Sequence, residues 1–291
     1  MFTPVNIGIS KSSRPAYTVL SGKQVAGEKI KSVPSVERVL SILEMLASSQ
    51  RGLTPSQIAR NLQMARSSAH YLLVTLERRG YLHRGGESGR YLFTPKLFEL
   101  ANSTLGRLPI RELAQPAMRA LMEESRLTVH MAILDQNEAV IIDKAEPPHL
   151  HLATWIGKRM PLHCTGTGKA LMAFLPPKAA DRIISCGLIR YNDNTIVSPR
   201  RLRDAMEGIR SAGYALDDEE ETVGLRCIGA PVLDEAHQAV AALSIAGTTQ
   251  EITSDNLTHL AGLVRRAAAR VSAEIVRSSR ESMVQAEDHD V

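Results

Sequence analysis

Cysteine is scarce in this sequence. The three present, Cys164, Cys186 and Cys227, are odd in number, widely spaced and free of any CxxC pair. That excludes a disulfide scaffold and points to a reduced, cytosolic compartment. Long apolar runs are lacking too: stretches such as residues 239–246 fall far short of the roughly 20 residues a membrane helix needs. The opening residues, MFTPVNIGIS, lack a charged segment followed by an apolar one, so secretion is not expected. No internal repeat or low-complexity tract is evident.

What is present is an ordinary folded composition, 44% hydrophobic and 23% charged over 291 residues. That length suggests two domains and the composition excludes wholesale disorder. The net charge of +4 hides an asymmetry: residues 1–107 hold 15 Lys and Arg against 6 Asp and Glu, a net of +9, which leaves −5 for residues 108–291. A basic first third joined to an acidic remainder suggests that the first part meets a polyanion and the second does not.

Residues 1–33 carry Lys11, Arg14, Lys23, Lys29 and Lys31 against the single acid Glu28, without periodicity, and read as a flexible basic tail. Val36, Val39, Leu40, Leu43 and Leu46 then recur at helical spacing and predict a helix over 35–49. Thr54-Pro55-Ser56-Gln57 announces a second, short helix: Thr54 as N-cap, Pro55 in the first turn, Gln57 completing a capping box. A third helix is expected over 66–79, its inner stripe formed by Ala69, Leu72, Leu73 and Leu76. Two strand-like stretches, 81–83 and 90–93, flank the loop Gly85–Gly89. Helix, short helix, helix and hairpin over 34–94 is the order of a winged helix-turn-helix.

In such a unit the second helix of the motif enters the major groove with its N-terminal residues. Small hydroxyl residues there permit close approach, and the positive end of the helix dipole favours phosphate. Arg66, Ser67, Ser68, His70 and Tyr71 occupy the exposed face, Thr54 precedes the second helix, and Arg84 and Arg90 sit on the wing. These eight residues are the candidate DNA contacts, with double-stranded DNA as the partner. A three-helix unit serving only as a protein-interaction module is the competing reading; the net charge of +9 and the arginine-bearing wing argue against it.

Downstream, helical segments over 95–108, as a linker, and 110–125 lead into an α+β domain over 109–280: an antiparallel sheet carrying helices on its faces. Strands are expected at 128–134, 139–144, 149–156, 227–233 and 239–246, helices at 165–174, on both sides of 185–199, and at 255–276, and residues 281–291 as a flexible tail.

The run VERVLSILEMLASSQRGLTPSQIARNLQMARSSAHYLLVTLERRGYLHR resembles the DNA-binding domain of the IclR family of bacterial transcriptional regulators. MPLHCTGTGKALMAFLP and YALDDEEETVGLRCIGAPVLD are similar to that family's effector-domain signatures, so the resemblance covers about residues 34–275. It implies a GAF-like effector-binding domain, a homodimer or dimer of dimers, and transcription controlled by small organic acids, with repression the expected sign. Tyr71 stands where many members carry Arg, which implies an altered operator preference.

Within the acidic domain, His163-Cys164-Thr165-Gly166-Thr167-Gly168-Lys169 superficially suggests a phosphate loop, but His163 and Ala170 break the GxxxxGK[ST] pattern and exclude nucleotide hydrolysis. What remains is a glycine-containing turn into a helix, whose free N–H groups at Gly166 and Thr167 can hold a carboxylate without a fixed cation. By composition, 217–221 reads as a solvated acidic loop. The resemblance makes Asp217 an exception, aligned with an aspartate of the family's effector cavity. It implies that Cys227 and Ser244 line the same cavity and that Leu152 and Met160 supply its apolar wall. Ala246 replaces a serine of acid-binding relatives, which removes one hydrogen-bond donor and favours a bulkier or less polar effector.

His163 beside Cys164 invites a nucleophilic reading, but adjacency supplies neither a base nor an oxyanion site. A zinc site from His149, His151, His163 and Cys164 has no recognised ligand spacing. Neither a metal nor another cofactor is expected, and no membrane partner. The expected function is thus an organic-acid-responsive, DNA-binding regulator. A ligand-independent DNA-binding protein and an enzyme with a fused DNA module remain the alternatives at this point.

Overall fold

The computed structural model describes residues 32–86, 88–105 and 109–287, which form two compact units dividing after Glu99. The expected N-terminal tail through residue 31, Glu87 of the hairpin loop, 106–108 of the expected linker and 288–291 of the expected C-terminal tail lie outside the described residues.

The first unit runs α1 (Pro34–Ala47), α2 (Pro55–Asn61), α3 (Arg66–Arg78), β1 (Leu82–Arg84) and β2 (Tyr91–Phe93), then enters α4 (Lys96–Leu105). The inner stripes legible in the sequence meet here: Ile42 and Leu46 of α1 pack with Ile58, Leu73, Leu76, Leu82 and Tyr91. Each such side chain, fully buried, contributes about 1.5–3 kcal/mol of apolar transfer. The capping box forms as its residue types require. Thr54 Oγ1 accepts from the Gln57 N–H at 3.3 Å, and the Thr54 N–H donates to Gln57 Oε1 at 2.9 Å. β1 and β2 pair antiparallel with Leu82 opposite Phe93, and Leu53 adds a bridge to Tyr91. Gly52 makes that bridge possible: its φ is +66°, and a Cβ there would lie 2.4 Å from the Tyr91 carbonyl oxygen. The other face of α1 stays in solvent, with Val36 54% and Leu40 50% exposed.

The second unit contains α5 (Pro109–Ser125), β3 (Thr128–Asp135), β4 (Glu138–Ala145), β5 (Arg159–Pro161), α6 (Gly166–Ala173), α7 (Pro177–Ser185), α8 (Pro199–Ala212), β6 (Ala215–Asp218), β7 (Leu225–Leu233), β8 (Ala239–Thr248) and α9 (Leu257–Glu287). Six of these elements form an antiparallel sheet in the order β5-β4-β3-β8-β7-β6. Alternate residues of each strand serve different cores. Val129, Met131, Ile228, Leu243 and Ile245 pack under α5 and α9, while Ala132, Ile141, Ala215 and Ala242 pack with α6, α7 and α8.

The sheet differs from expectation at two places. Residues 149–156 form no strand: Lys144 Nζ donates to the carbonyls of Leu152 (3.2 Å) and Thr154 (3.1 Å), and the Leu152 N–H donates to Glu146 Oε1 (3.0 Å). Side chains thus take the backbone groups a ladder would have used. The edge strand is β5 instead, pairing Met160 with Ala139. At the far edge, β6 takes in the first two residues of the acidic run, with Asp217 paired to Cys227. The last helix continues to Glu287, past residue 276 and into the stretch expected as a tail. No helix of the described residues is long and apolar enough to cross a membrane.

Candidate functional site

In the first unit, α3 buries Ala69, Leu73 and Leu76 and turns Arg66, Ser67, His70, Tyr71 and Val74 outward, with Ser68 half-buried. Tyr71 is 72% exposed, an unusual placement for a large ring, and lies 6.1 Å from the His70 ring. The N-cap, Ala65, offers no side-chain acceptor, so the first-turn N–H groups of α3 are open to an outside anion. Arg84 is exposed on the hairpin. Two of the eight expected contacts are held otherwise. Arg90 Nη1 donates to the Gly52 carbonyl at 2.9 Å and to Gln57 Oε1 at 3.5 Å, which ties the wing to α2, and the Thr54 hydroxyl caps α2.

In the second unit six of the seven expected cavity residues, all but Leu152, lie on one face of the sheet. α6 begins against β7: a Cβ on Gly166 would sit 3.2 Å from Cys227 backbone atoms, and one on Gly229 would sit 2.2 Å from the Gly166 carbonyl oxygen. Thr165 caps α6 by accepting the Gly168 N–H at 3.1 Å. The N–H groups of Gly166 and Thr167 therefore point out of the first turn without an intrahelical acceptor. Beneath them, strand register makes two lateral rows on this face. One is Thr128–Ala246–Cys227–Asp217 and the next is His130–Ser244–Gly229–Ala215.

The polar groups of these rows are mostly neutral. Burial pushes the Asp217 carboxyl up to about 7, against the opposing pull of the Glu220 N–H bond and of Lys169. Burial, then the neighbouring Asp217, raises the Cys227 thiol. Burial lowers His130 to about 3, with Lys144 and Lys158 adding to the effect; its Nε2 lies 2.8 Å from Thr154 Oγ1. The hydroxyls of Thr128 and Thr167 are buried, 0% and 1% exposed by residue, and have no partner at all. Such groups cost about 1–3 kcal/mol each when left unpaired; Thr167 lies in the first turn of α6 and Thr128 on β3, on the same face of the sheet.

Charge is fixed elsewhere. Lys169 and Glu220, 3% and 5% exposed, form an ion pair, and Lys169 also donates to the Leu216 carbonyl. Asp217 Oδ1 accepts the Glu220 N–H at 2.9 Å. The acidic run is therefore not a wholly solvated loop: Asp217 and Glu220 are both buried because a lysine from α6 reaches them. Leu152 does not join Met160. It packs against the core under α5 and α9, and Met160 belongs to the α6-side core. Sequence reasoning missed Thr128, His130, Thr154 and Lys158. The signal for the first two is two polar residues at period two in the otherwise apolar strand TVHMAILD.

Cys164 is buried, its thiol raised by desolvation, and His163 Nε2 lies 2.9 Å from the Ile189 carbonyl oxygen. Among the described residues no three His, Cys, Asp or Glu side chains are grouped to hold a metal. A groove of about 930 Å³, lined by Arg210, Arg265 and Asp234 among others, shares no residue with the two rows.

A winged helix-turn-helix with an open recognition-helix start and an antiparallel sheet cradling unpartnered hydroxyls define a DNA-binding regulator with a sensing domain. The chain belongs to the IclR family. Residues 35–86 match the IclR helix-turn-helix domain and residues 102–273 the bacterial transcriptional regulator IclR C-terminal domain. The transcriptional repressor IclR of Escherichia coli (strain K12) is 36% identical over 244 residues, covering 82% of this chain and 89% of that protein. The solved IclR of Thermotoga maritima is 29% identical with a TM-score of 0.72, over 84% of this chain and 99% of that one. An IclR homolog from Microbacterium hydrocarbonoxydans complexed with 4-hydroxybenzoate shares the fold at 24% identity and a TM-score of 0.73, over 84% of this chain and 99% of that one.

Proposed function

We propose that this protein is a repressor whose operator binding is modulated by a small organic acid held between the start of α6 and the sheet. The observation that supports the cavity most is the pair of buried, unpartnered hydroxyls, Thr128 and Thr167. Thr167 stands with the first-turn N–H groups of α6 and with Asp217, whose carboxyl is raised to about 7, as donors for one carboxylate, and Thr128 stands on the same face of the sheet two strands away. The repressor reading rests on the relatives. Binding shifts the population of DNA-competent assemblies, so the acid and the operator are linked reciprocally.

A thermal-shift screen of small carboxylates against the full chain tests the cavity. At least one acid should raise the melting temperature, as ligand linkage requires, and Gly166→Leu should abolish that shift while the variant still melts cooperatively. A shift that survives in Gly166→Leu places the acid elsewhere.

The Asp217 titration gives a second check. A carboxyl raised to about 7 is neutral and able to donate below that pH, and ionised and repulsive above it. Affinity for a carboxylate should therefore fall as pH rises through 7, by up to about tenfold per pH unit. Asp217→Asn, which keeps an acceptor for the Glu220 N–H, should flatten the profile; calorimetry at pH 6, 7 and 8 reads it directly.

On the DNA side, α3 is the recognition helix, with Arg66, Ser67, Ser68, His70 and Tyr71 reaching the groove and Arg84 a flanking phosphate. Arg66→Ala should weaken operator binding about tenfold and reduce its salt dependence by about one counterion. Equal affinity for the variant and wild type at matched salt would put the recognition surface elsewhere. The exposed row Val36 and Leu40 on α1 supports a homodimer or dimer of dimers, because a lone helical domain gains nothing by exposing it.

A further inference from the structure

The cavity has a second polar end, opposite the start of α6, that a single carboxylate leaves unused. α6 sits over β7, and His130 and Thr128 stand on β3, two strand steps away, a span of about 10 Å. Above β3 the segment after β4 folds across this face, since Thr154 Oγ1 reaches His130 Nε2. His130 Nδ1 makes no hydrogen bond in the described residues, and Thr128 Oγ1 has no partner.

A cation stands at this end. Lys158 lies opposite Ile141 through its carbonyl (3.0 Å from the Ile141 N–H) and two residues before Met160, which places it on the α6 side of the sheet. Lys144, also facing this side, is committed: its Nζ holds two carbonyls of the covering segment and pairs with Glu146 at 2.8 Å. Lys158 is not. Its Nζ has a long 3.5 Å contact to the Ala153 carbonyl oxygen and lies 5.6 Å from the Trp155 ring centroid, with no carboxylate at ion-pair distance among the described residues. Its charge adds to the burial that lowers His130. At the α6 end Lys169 is neutralised by Glu220.

We propose that the cavity takes a dicarboxylate: one carboxylate on the first-turn N–H groups of α6, the other on Lys158, His130 and Thr128. This rests on the cavity reading above and adds the ligand's class. An acid with one anionic end satisfies either the helix start or the lysine, and leaves an orphaned hydroxyl at the other. An acid with two ends about 10 Å apart satisfies both.

The test is calorimetry on the full chain with succinate, glutarate, adipate and pimelate against butyrate and hexanoate. The emission of Trp155, the single tryptophan, serves as a second readout because it adjoins Lys158. At least one of the longer diacids should bind about tenfold more tightly than hexanoate and change Trp155 emission. Lys158→Met should lower the diacid-to-monoacid affinity ratio about tenfold, and Lys158→Arg should restore most of it. Thr128→Val, isosteric and relieved of an orphaned hydroxyl, should lower the ratio without lowering the melting temperature. Equal affinities for diacids and monoacids, or a ratio unmoved by Lys158→Met, overturn the proposal. Gly166→Leu separates the two levels. If it abolishes binding of both acid classes while Lys158→Met leaves the ratio intact, the dicarboxylate class alone fails. If Gly166→Leu changes nothing, the cavity reading fails and takes this one with it.

Discussion

Lys169→Met should lower the unfolding free energy by about 3–5 kcal/mol, the cost of stranding one partner of a buried ion pair. Lys169 is 3% exposed and bridges Glu220 and the Leu216 carbonyl; Glu220 is 5% exposed, and its Oε2 already lacks a partner. Removing the ammonium leaves a carboxylate inside the protein with the Leu216 carbonyl also unmet. Replacing both, as Lys169→Met with Glu220→Leu, removes the stranded charge and should recover part of the loss. Urea unfolding followed by circular dichroism reads all three proteins. A loss below about 1 kcal/mol for the single variant would mean the pair is solvated and acts like a surface ion pair. The consequence reaches the site, because the same pair ties α6 to the turn after β6. Asp217 Oδ1 grips that turn through the Glu220 N–H at 2.9 Å. Helix start and carboxyl face one another only while the turn is held.

Gly229→Ala should be as damaging for a different reason. The new methyl would lie 2.2 Å from the Gly166 carbonyl oxygen, 2.4 Å from its carbon and 2.9 Å from the Thr167 nitrogen, all backbone atoms that no rotamer change can move. α6 must lift off the sheet, at a cost of about 3 kcal/mol or more, and its N–H donors move with it. Acid binding should be lost beyond what the stability change explains. Gly208→Ala is the matched control: Gly208 lies exposed in α8, a methyl added there would meet nothing within 4 Å, and the change should stabilise by about 0.5–1 kcal/mol. A Gly229→Ala protein as stable as wild type would show that α6 is not seated on β7.

The first unit was legible because its signals are local. The stripe Ala69, Leu73, Leu76 follows helical period, and Thr54 and Gln57 are three residues apart. The same locality misleads further on. His149, Leu150, His151 and Leu152 alternate as a strand would, yet their backbone is taken by Lys144 and Glu146, whose reach no periodicity records. The acidic run looks solvated by composition. Glu220 is buried because a lysine 51 residues earlier in the chain meets it, which composition cannot show. At the cavity, a helix start after His163-Cys164-Thr165 was readable as an anion site from its glycines. Asp217, Cys227 and Ser244 came from family resemblance, and cross-strand register brings them together. Arg90 had the right charge for a wing contact, but its bond to the Gly52 carbonyl is a tertiary fact.

The central claim is that an acid in the C-terminal unit and DNA at the N-terminal unit bias one equilibrium. It is tested most directly by operator affinity at fixed salt, with and without an acid that stabilises the wild type, in wild type and Asp217→Asn. At a fixed acid concentration the acid should change wild-type operator affinity by about fivefold or more at pH 6, and the change should shrink towards pH 8 in wild type but not in the variant. An acid that binds and stabilises the protein while leaving operator affinity the same at every pH would contradict it.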